Sequence, residues 1–211
     1  MKIKFFVFSI LLAAVVPSVW GEIKGYLSVD YTKGEELARL PRGSFENPRF
    51  GLVFSGEVTP RIGYFSEVRF KEESRLELEQ AWVGLKPSPS LNLKLGLYLV
   101  PFGRYIQVNR PYQNLLVNTP LHGEYVYPLS WRDTGILVEG RLSGLSYSAY
   151  LGNGLLESDS LSSAQQFRDN NKNKGIGGRV GAGLSQWTEV GLSYYRGKYD
   201  KQNERNLVLR G

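Results

Sequence analysis

Residues 91–99 read LNLKLGLYL. Every odd position is a leucine, whereas the even positions carry Asn92, Lys94, Gly96 and Tyr98. Successive side chains of a β-strand point to opposite faces, so this stretch predicts a strand with one apolar and one polar face.

Nine further stretches alternate in a similar way. They predict strands over 23–31, 49–57, 61–70, a fourth ending at about Leu85, 134–142, 145–152, 175–184, 189–197 and a tenth beginning near Asn206. Links after even-numbered strands are short, the 143–144 turn being one of them, and most links after odd-numbered strands are long. The link at 71–74 is the exception.

This alternation of short turns and long loops is typical of barrels in the bacterial outer membrane. The predicted strands are also long enough for that role, since a tilted membrane strand needs about 9 to 11 residues. We therefore predict an all-β fold, an antiparallel transmembrane β-barrel with about ten strands present. A soluble β-sandwich is the alternative, because its strands alternate as well.

Both ends of the chain bear on this prediction. Residues 1–21 combine two lysines, an apolar run and a small residue at Gly21, which indicates a cleavable signal peptide and export to the outer membrane. Residues 22–211 then form one barrel domain. The stretch from Asn206 to Gly211 is too short to cross a bilayer, so the sequence predicts the N-terminal portion of a longer, truncated barrel.

Composition argues against several other functions. The formal charge of +6 includes Lys2 and Lys4, so the mature chain carries +4, a small excess without any nucleic-acid recognition motif. The chain has no cysteine and one histidine, His122, which leaves little for a catalytic triad or a metal site. We predict no catalytic residue, no cofactor and no metal ligand.

Basic residues on the strands are the first candidates for a pore lining. The faces opposite the leucines and valines are expected to carry Lys24, Arg69, Lys94, Arg141, Arg179 and Arg196. Charges facing lipid cost several kcal/mol, so these side chains should face a lumen, where they would favour anions. Glutamates 57, 67, 77, 79 and 139 lie among them, and a lumen of mixed sign with little selectivity is the alternative.

The stretch 100–133 is the second candidate region, because so long a link usually has a role. Arg104, Arg110 and Arg132 lie in it beside several tyrosines. Folded inward, the loop would narrow a channel and present fixed guanidinium groups to an anion. The alternative is a packed external loop whose arginines pair with Glu124 and Asp133.

Five segments, in this order, resemble the porin family that includes the phosphate- and pyrophosphate-selective porins O and P. They are EQAW at 79–82, GLYLVPFGR at 96–104, WRDTG at 131–135, Asn153 with Gly154, and DNNKNKGIGG at 169–178. The resemblance implies an outer-membrane diffusion channel for small hydrophilic solutes, with about 16 strands in a homotrimer. The arginine ladder and lysine cluster of the phosphate-selective members cannot be mapped onto this chain. A barrel enzyme and a non-conducting barrel that acts as an anchor or adhesin are the other classes considered.

Overall fold

Ten strands and almost no helix make up the described part of the protein. The computed structural model describes residues 20–34, 42–71, 75–110, 112–113, 127–128, 130–185 and 188–211. The strands are β1 (Trp20–Thr32), β2 (Ser44–Thr59), β3 (Ile62–Lys71), β4 (Arg75–Ser88), β5 (Leu91–Leu99), β6 (Arg132–Leu142), β7 (Leu145–Gly152), β8 (Gly175–Gly183), β9 (Glu189–Lys198) and β10 (Asn206–Arg210). A four-residue helix, α1 (Tyr105–Val108), and a 3-10 turn at Leu161–Ser163 complete the described elements. No described helix is long and apolar enough to span a membrane.

All ten strands form one antiparallel sheet in which spatial order equals chain order. Each strand pairs with its neighbours in sequence, and among the described strands β1 and β10 are the two edges. The prediction of an all-β fold with ten antiparallel strands is confirmed. The sheet is open rather than closed into a barrel.

Link lengths follow the predicted alternation. The β6–β7 hairpin turns at Ser143 and Gly144, whose φ angles are 47° and 86°. Two consecutive positive φ angles define the type I′ turn, which suits the right-handed twist of a two-residue hairpin. On the opposite end of the sheet, residues 100–131 and 153–174 form the longest links.

One strand start differs from the sequence prediction by five residues. β2 begins at Ser44 rather than at Arg49, although Pro48 lacks the N–H that a regular ladder needs. The pairing with β1 shifts register between Ser28 and Asp30, and Asn47 has a φ of 52°. This bulge accommodates the proline and lets the hairpin continue beyond it.

The predicted signal peptide, 1–21, lies largely outside the described residues. Its last two residues, Trp20 and Gly21, begin β1 and pair with Glu57 and Gly56. Cleavage after Gly21 would remove only these two residues from an edge strand. The signal peptide stays a prediction.

The two faces of the sheet differ in polarity, and one residue row shows the apolar face. Leu95, Ile136, Leu151 and Ile176 pair directly across β5 to β8. Between 44% and 64% of each residue is exposed. Large exposed side chains of this kind continue over all ten strands, and no described residue covers this surface, here called the apolar face.

The opposite face of the sheet carries polar side chains, as a row of directly paired residues shows. Asn92, Glu139, Ser148, Arg179 and Ser193 pair directly across β5 to β9. A small apolar core lies on this same side, where the long links cover the ends of the strands. Its most buried members include Trp131, Tyr98, Tyr195, Ile106 and Leu155.

A substitution at Gly135 tests how closely the backbones of β6 and β7 approach each other. A Cβ atom at Gly135 would lie 2.0 Å from the carbonyl oxygen of Leu151, whereas a Cβ at Gly183 would have no neighbour within 4 Å. We expect Gly135→Ala to lower the free energy of unfolding by about 1–3 kcal/mol, because backbone must move apart. Gly183→Ala should change it by less than about 0.5 kcal/mol. Urea unfolding followed by circular dichroism measures both, and equal effects would contradict the close approach.

Candidate functional site

The segment that follows β5 crosses the polar face of the sheet. Gly103 donates its N–H to Ser193 Oγ on β9 at 2.9 Å, and the Tyr112 ring lies 5.2 Å from that of Tyr26 on β1. Nine residues would reach about 32 Å if fully extended, but the four residues of α1 rise only about 1.5 Å each, which shortens the backbone reach to about 23 Å. Eight strand spacings in a flat sheet would measure about 38 Å, which is more than this reach and the 5.2 Å ring contact together. The sheet therefore curves around the segment, and the polar face is its concave side.

A buried ion network fixes this crossing segment to β3. Arg110 Nε lies 3.1 Å from Glu67 Oε2, and both residues are almost fully buried. Glu67 also accepts hydrogen bonds from the Tyr26 hydroxyl at 3.0 Å and from Gln80 at 3.3 Å. Arg69 lies beside it, 3.8 Å from Glu67. The described residues 100–110, 112 and 113 of the predicted 100–133 loop therefore lie against the polar face, and narrowing of a channel by this loop stays a prediction.

Glu79 extends the network into β4. The β3–β4 register shifts there, because Glu67 pairs with Gln80 while Val68 pairs with Leu78. Glu79 is the extra residue of this bulge and is fully buried. Its Oε1 lies 3.3 Å from Arg69 Nη1 and 3.6 Å from Arg132 Nη1. The bulge thus brings a second carboxylate to the arginines.

Arg132 completes the network and does not reach the open part of the polar face. Its Nη1 donates to the carbonyl oxygen of Leu78 at 3.0 Å and lies 3.7 Å from Glu77 Oε2. The three arginines 69, 110 and 132 thus meet the three glutamates 67, 77 and 79. The network is balanced in charge.

The expected alternative pairing of these arginines with Asp133 is not seen. Asp133 is fully buried and accepts the backbone N–H groups of Thr134, Asn153 and Gly154 at 2.7 to 2.9 Å. It therefore ties the start of the 153–174 link to β6. Glu124 and His122 lie outside the described residues.

A cleft of about 980 Å³ opens beside the crossing segment. Five of the seven predicted site residues line it, namely Lys94, Arg104, Arg110, Arg141 and Arg179. Arg61 and Lys86 also line it, and Glu139 is the one carboxylate among its described lining residues. The tyrosine that reaches it from the segment, Tyr112, has its pKa raised by burial first and by Glu67 second, so it is a neutral phenol at pH 7.

Three of these arginines surround one carboxylate at the start of β9. Glu189 forms ion pairs with Arg179 and with Arg104, the latter at 3.7 Å. It also has a longer-range Coulomb attraction to Arg141. The Arg179 side chain lies flat on the sheet, because a Cβ at Gly181 or Gly191 would come within 2.7 Å of its guanidinium. This part of the cleft carries an excess of positive charge.

Lys94 lies against an aromatic ring in the same cleft. Its Nζ is 2.6 Å from Glu139 Oε1 and 4.4 Å from the centroid of the Trp82 ring. Asn92 donates a hydrogen bond to the same Glu139 oxygen at 3.2 Å. The carboxylate and the aromatic face together fix the position of the lysine ammonium group.

Arg196 does not belong to this site, and the prediction that it shares a face with Arg179 is wrong. It pairs directly with Ile176, at the end of the exposed apolar row, and is itself exposed. Arg196 is an even-numbered residue of β9, as are Val190 and Leu192, and all three lie on the apolar face. Counting positions along the strand is therefore enough to place Arg196 on that face.

Sequence reasoning also missed two anchoring residues. Glu189 is the first residue of β9, and because it lies four positions before Ser193 its side chain is on the same, polar face. Tyr26 belongs to the network only because the segment from β5 crosses to β1, and no local pattern indicates that contact. The position of Glu189 on the polar face can be found by counting residues along β9, whereas the contact of Tyr26 cannot be found from the sequence.

Removing Arg110 tests whether the network holds the crossing segment. Arg110→Ala leaves Glu67 buried with less compensation, so we expect a loss of about 3–5 kcal/mol in the free energy of unfolding. Lys86→Ala removes the exposed pair with Glu57, 3.2 Å apart, and should cost less than about 1 kcal/mol. Chemical unfolding measures both, and faster proteolysis within residues 101–113 of the Arg110 variant is the second expected result. Equal losses in the two variants would contradict an anchoring role.

Comparison with known proteins shows a distant similarity to a curated protein. No protein-family model matches the chain. An uncharacterized protein of Aquifex aeolicus (strain VF5) is 26% identical over 141 residues, which cover 63% of this chain and 32% of that protein. The chain thus spans about a third of the length of the curated relative it matches.

Proposed function

We propose that this chain forms part of the wall of an outer-membrane porin, along whose polar face small hydrophilic solutes diffuse passively, anions in preference. The observation that carries the proposal is the inverted polarity of the sheet. Its apolar side chains are exposed across all ten strands, whereas buried charges and a basic cleft lie on the concave side. Water-soluble sheets place these faces the other way round.

Lipid is the partner that suits the apolar face. Monomeric soluble proteins rarely expose contiguous apolar patches of more than a few hundred Å², and larger ones mark membrane or protein contacts. Eight of the ten strands have 9 residues or more, in keeping with a tilted strand that crosses a bilayer. The alternation of short turns and long links supports the same arrangement.

The polar face supplies the proposed solute path. The crossing segment narrows the space beside β1 and β3, and the basic cleft lies next to it. Fixed cations along a water-filled path lower the energy of a passing anion and raise that of a cation. Transport of this kind needs no covalent step. Export by the signal peptide and assembly into a homotrimer belong to the same proposal.

A non-conducting barrel that serves as an anchor is the second candidate. The observation that favours it is the crossing segment itself, because it packs on the polar face and occupies part of the interior. Conductance in a planar bilayer decides between the two candidates. Discrete single-channel steps support the porin, whereas a silent, correctly folded protein supports the anchor.

An arginine on each face tests the membrane contact. Ile136→Arg places a charge in the exposed apolar row, which costs about 2–4 kcal/mol at the middle of a bilayer. In water the same exposed substitution costs less than about 0.5 kcal/mol. Ser55→Arg, on the polar face opposite Glu22, is the matched control and should be tolerated. Unfolding of protein refolded into lipid vesicles measures both, and a neutral Ile136 variant would count against lipid on this face.

A second pair of variants tests selectivity. Arg141→Gln removes one positive charge from the cleft, and Arg196→Gln removes one from the apolar face. We expect the first to lower the anion-to-cation permeability ratio and the second to leave it unchanged, because only the cleft borders the solute path. The reversal potential in a salt gradient measures this ratio. Equal shifts, or none for Arg141→Gln, would argue against the cleft as the selective region.

A further inference from the structure

Two aromatic rings lie face to face on the polar side of the sheet. Phe65 on β3 pairs directly with Trp82 on β4, and their ring centroids are 5.4 Å apart with an interplanar angle of 13°. Both residues line the cleft, and both are only partly buried. A stacked pair at a water-accessible position leaves π surface open to a ligand.

Two glycines, Gly84 and Gly96, leave the space that Trp82 of this pair occupies. A Cβ at Gly84 would lie 3.0 Å from Trp82 Cζ3, and one at Gly96, where φ is 134°, would lie 2.9 Å from Trp82 Cα. A larger residue at Gly84 would displace the indole, and one at Gly96 would press on the backbone of β4 that carries it. Trp82 is further held by a 3.4 Å hydrogen bond from its Nε1 to Gln80 and by packing against the buried core. The stacked rings of Phe65 and Trp82, here called the platform, are therefore held in place by the sheet itself.

Cations lie next to the platform. Lys94 is 4.4 Å from the Trp82 ring and has three N–H donors, one of which Glu139 accepts. Arg141 lies two residues from Glu139 on the same face and lines the same cleft, where it also acts on Glu189. The four cations Lys94, Arg104, Arg141 and Arg179 thus face two carboxylates, Glu139 and Glu189, which leaves an excess of positive charge in the cleft.

We propose that this cleft selects small carboxylates that carry a planar ring, with the ring on the Phe65 and Trp82 platform and the carboxylate at Lys94 and Arg141. The proposal rests on the proposed function for the route by which such a solute passes. Binding at the platform can be measured without transport, so the two proposals can fail separately.

Two acids of equal charge and similar size test the ring requirement. Benzoate has a planar π face, and cyclohexanecarboxylate has none. We expect the purified protein to bind benzoate about three- to tenfold more tightly, as measured by isothermal titration calorimetry in detergent micelles. Equal dissociation constants for the two acids would overturn the inference.

Variants separate the ring from the charge. Phe65→Leu should bring the ratio of the two dissociation constants close to one, because the platform loses one of its rings. Phe50→Leu is the matched control, since Phe50 and Phe70 form a similar cross-strand pair, 5.4 Å apart, on the apolar face. It should keep the wild-type ratio. Arg141→Gln should weaken both acids by a similar factor, and a selective loss of benzoate would contradict the assigned roles.

Conductance of the same preparation shows which proposal has failed. Channel steps with equal binding of the two acids overturn the platform and leave the porin standing. A silent protein that still prefers benzoate, and loses this preference in Phe65→Leu, overturns the porin and supports the platform.

Discussion

The ion pair between Arg110 and Glu67 determines where the interior of this sheet is filled and where it stays open. Two opposite charges that are almost fully buried lose their hydration, and their attraction compensates only when the remaining polar atoms also find partners. Tyr26 on β1 and Gln80 on β4 donate hydrogen bonds to Glu67, and Arg69 on β3 adds a positive charge 3.8 Å from it. The pair can therefore form only in the folded, curved sheet. It joins the segment after β5 to the strands near the opposite edge.

The inverted polarity of the sheet follows from where the chain places its large apolar side chains. In a soluble β protein such residues would meet across a core, but here most of them point away from it, as Leu95 and Ile176 do. The buried apolar core is small and sits under the long links, around Trp131 and Tyr195, whose rings are 5.0 Å apart. A fold of this kind needs a second apolar medium against its apolar face. In the proposed porin, lipid would supply that medium on the convex side, while solvent would hydrate the concave side.

The local part of this architecture could be predicted from the sequence, and the tertiary part could not. Alternation gave β5 and β7 with their observed ends, because residue types at period two and the Ser143–Gly144 turn depend on neighbours in sequence alone. The start of β2 was missed, since a bulge at Asn47 overrides the usual meaning of Pro48. The ion network was missed for a similar reason. It depends on an extra residue, Glu79, and on a segment that crosses several strands, and neither is encoded by periodicity.

Charge balance connects the buried network with the open cleft. The arginines 69, 110 and 132 are matched by the glutamates 67, 77 and 79, so the region that excludes water is close to neutral. The open region differs. There Arg61, Lys86, Lys94, Arg104, Arg141 and Arg179 face the three carboxylates of Glu57, Glu139 and Glu189. Unbalanced charge is costly where water is excluded and cheap where it is present. An excess of cations confined to the wet part of the concave face is the distribution that attracts anions at little cost in stability.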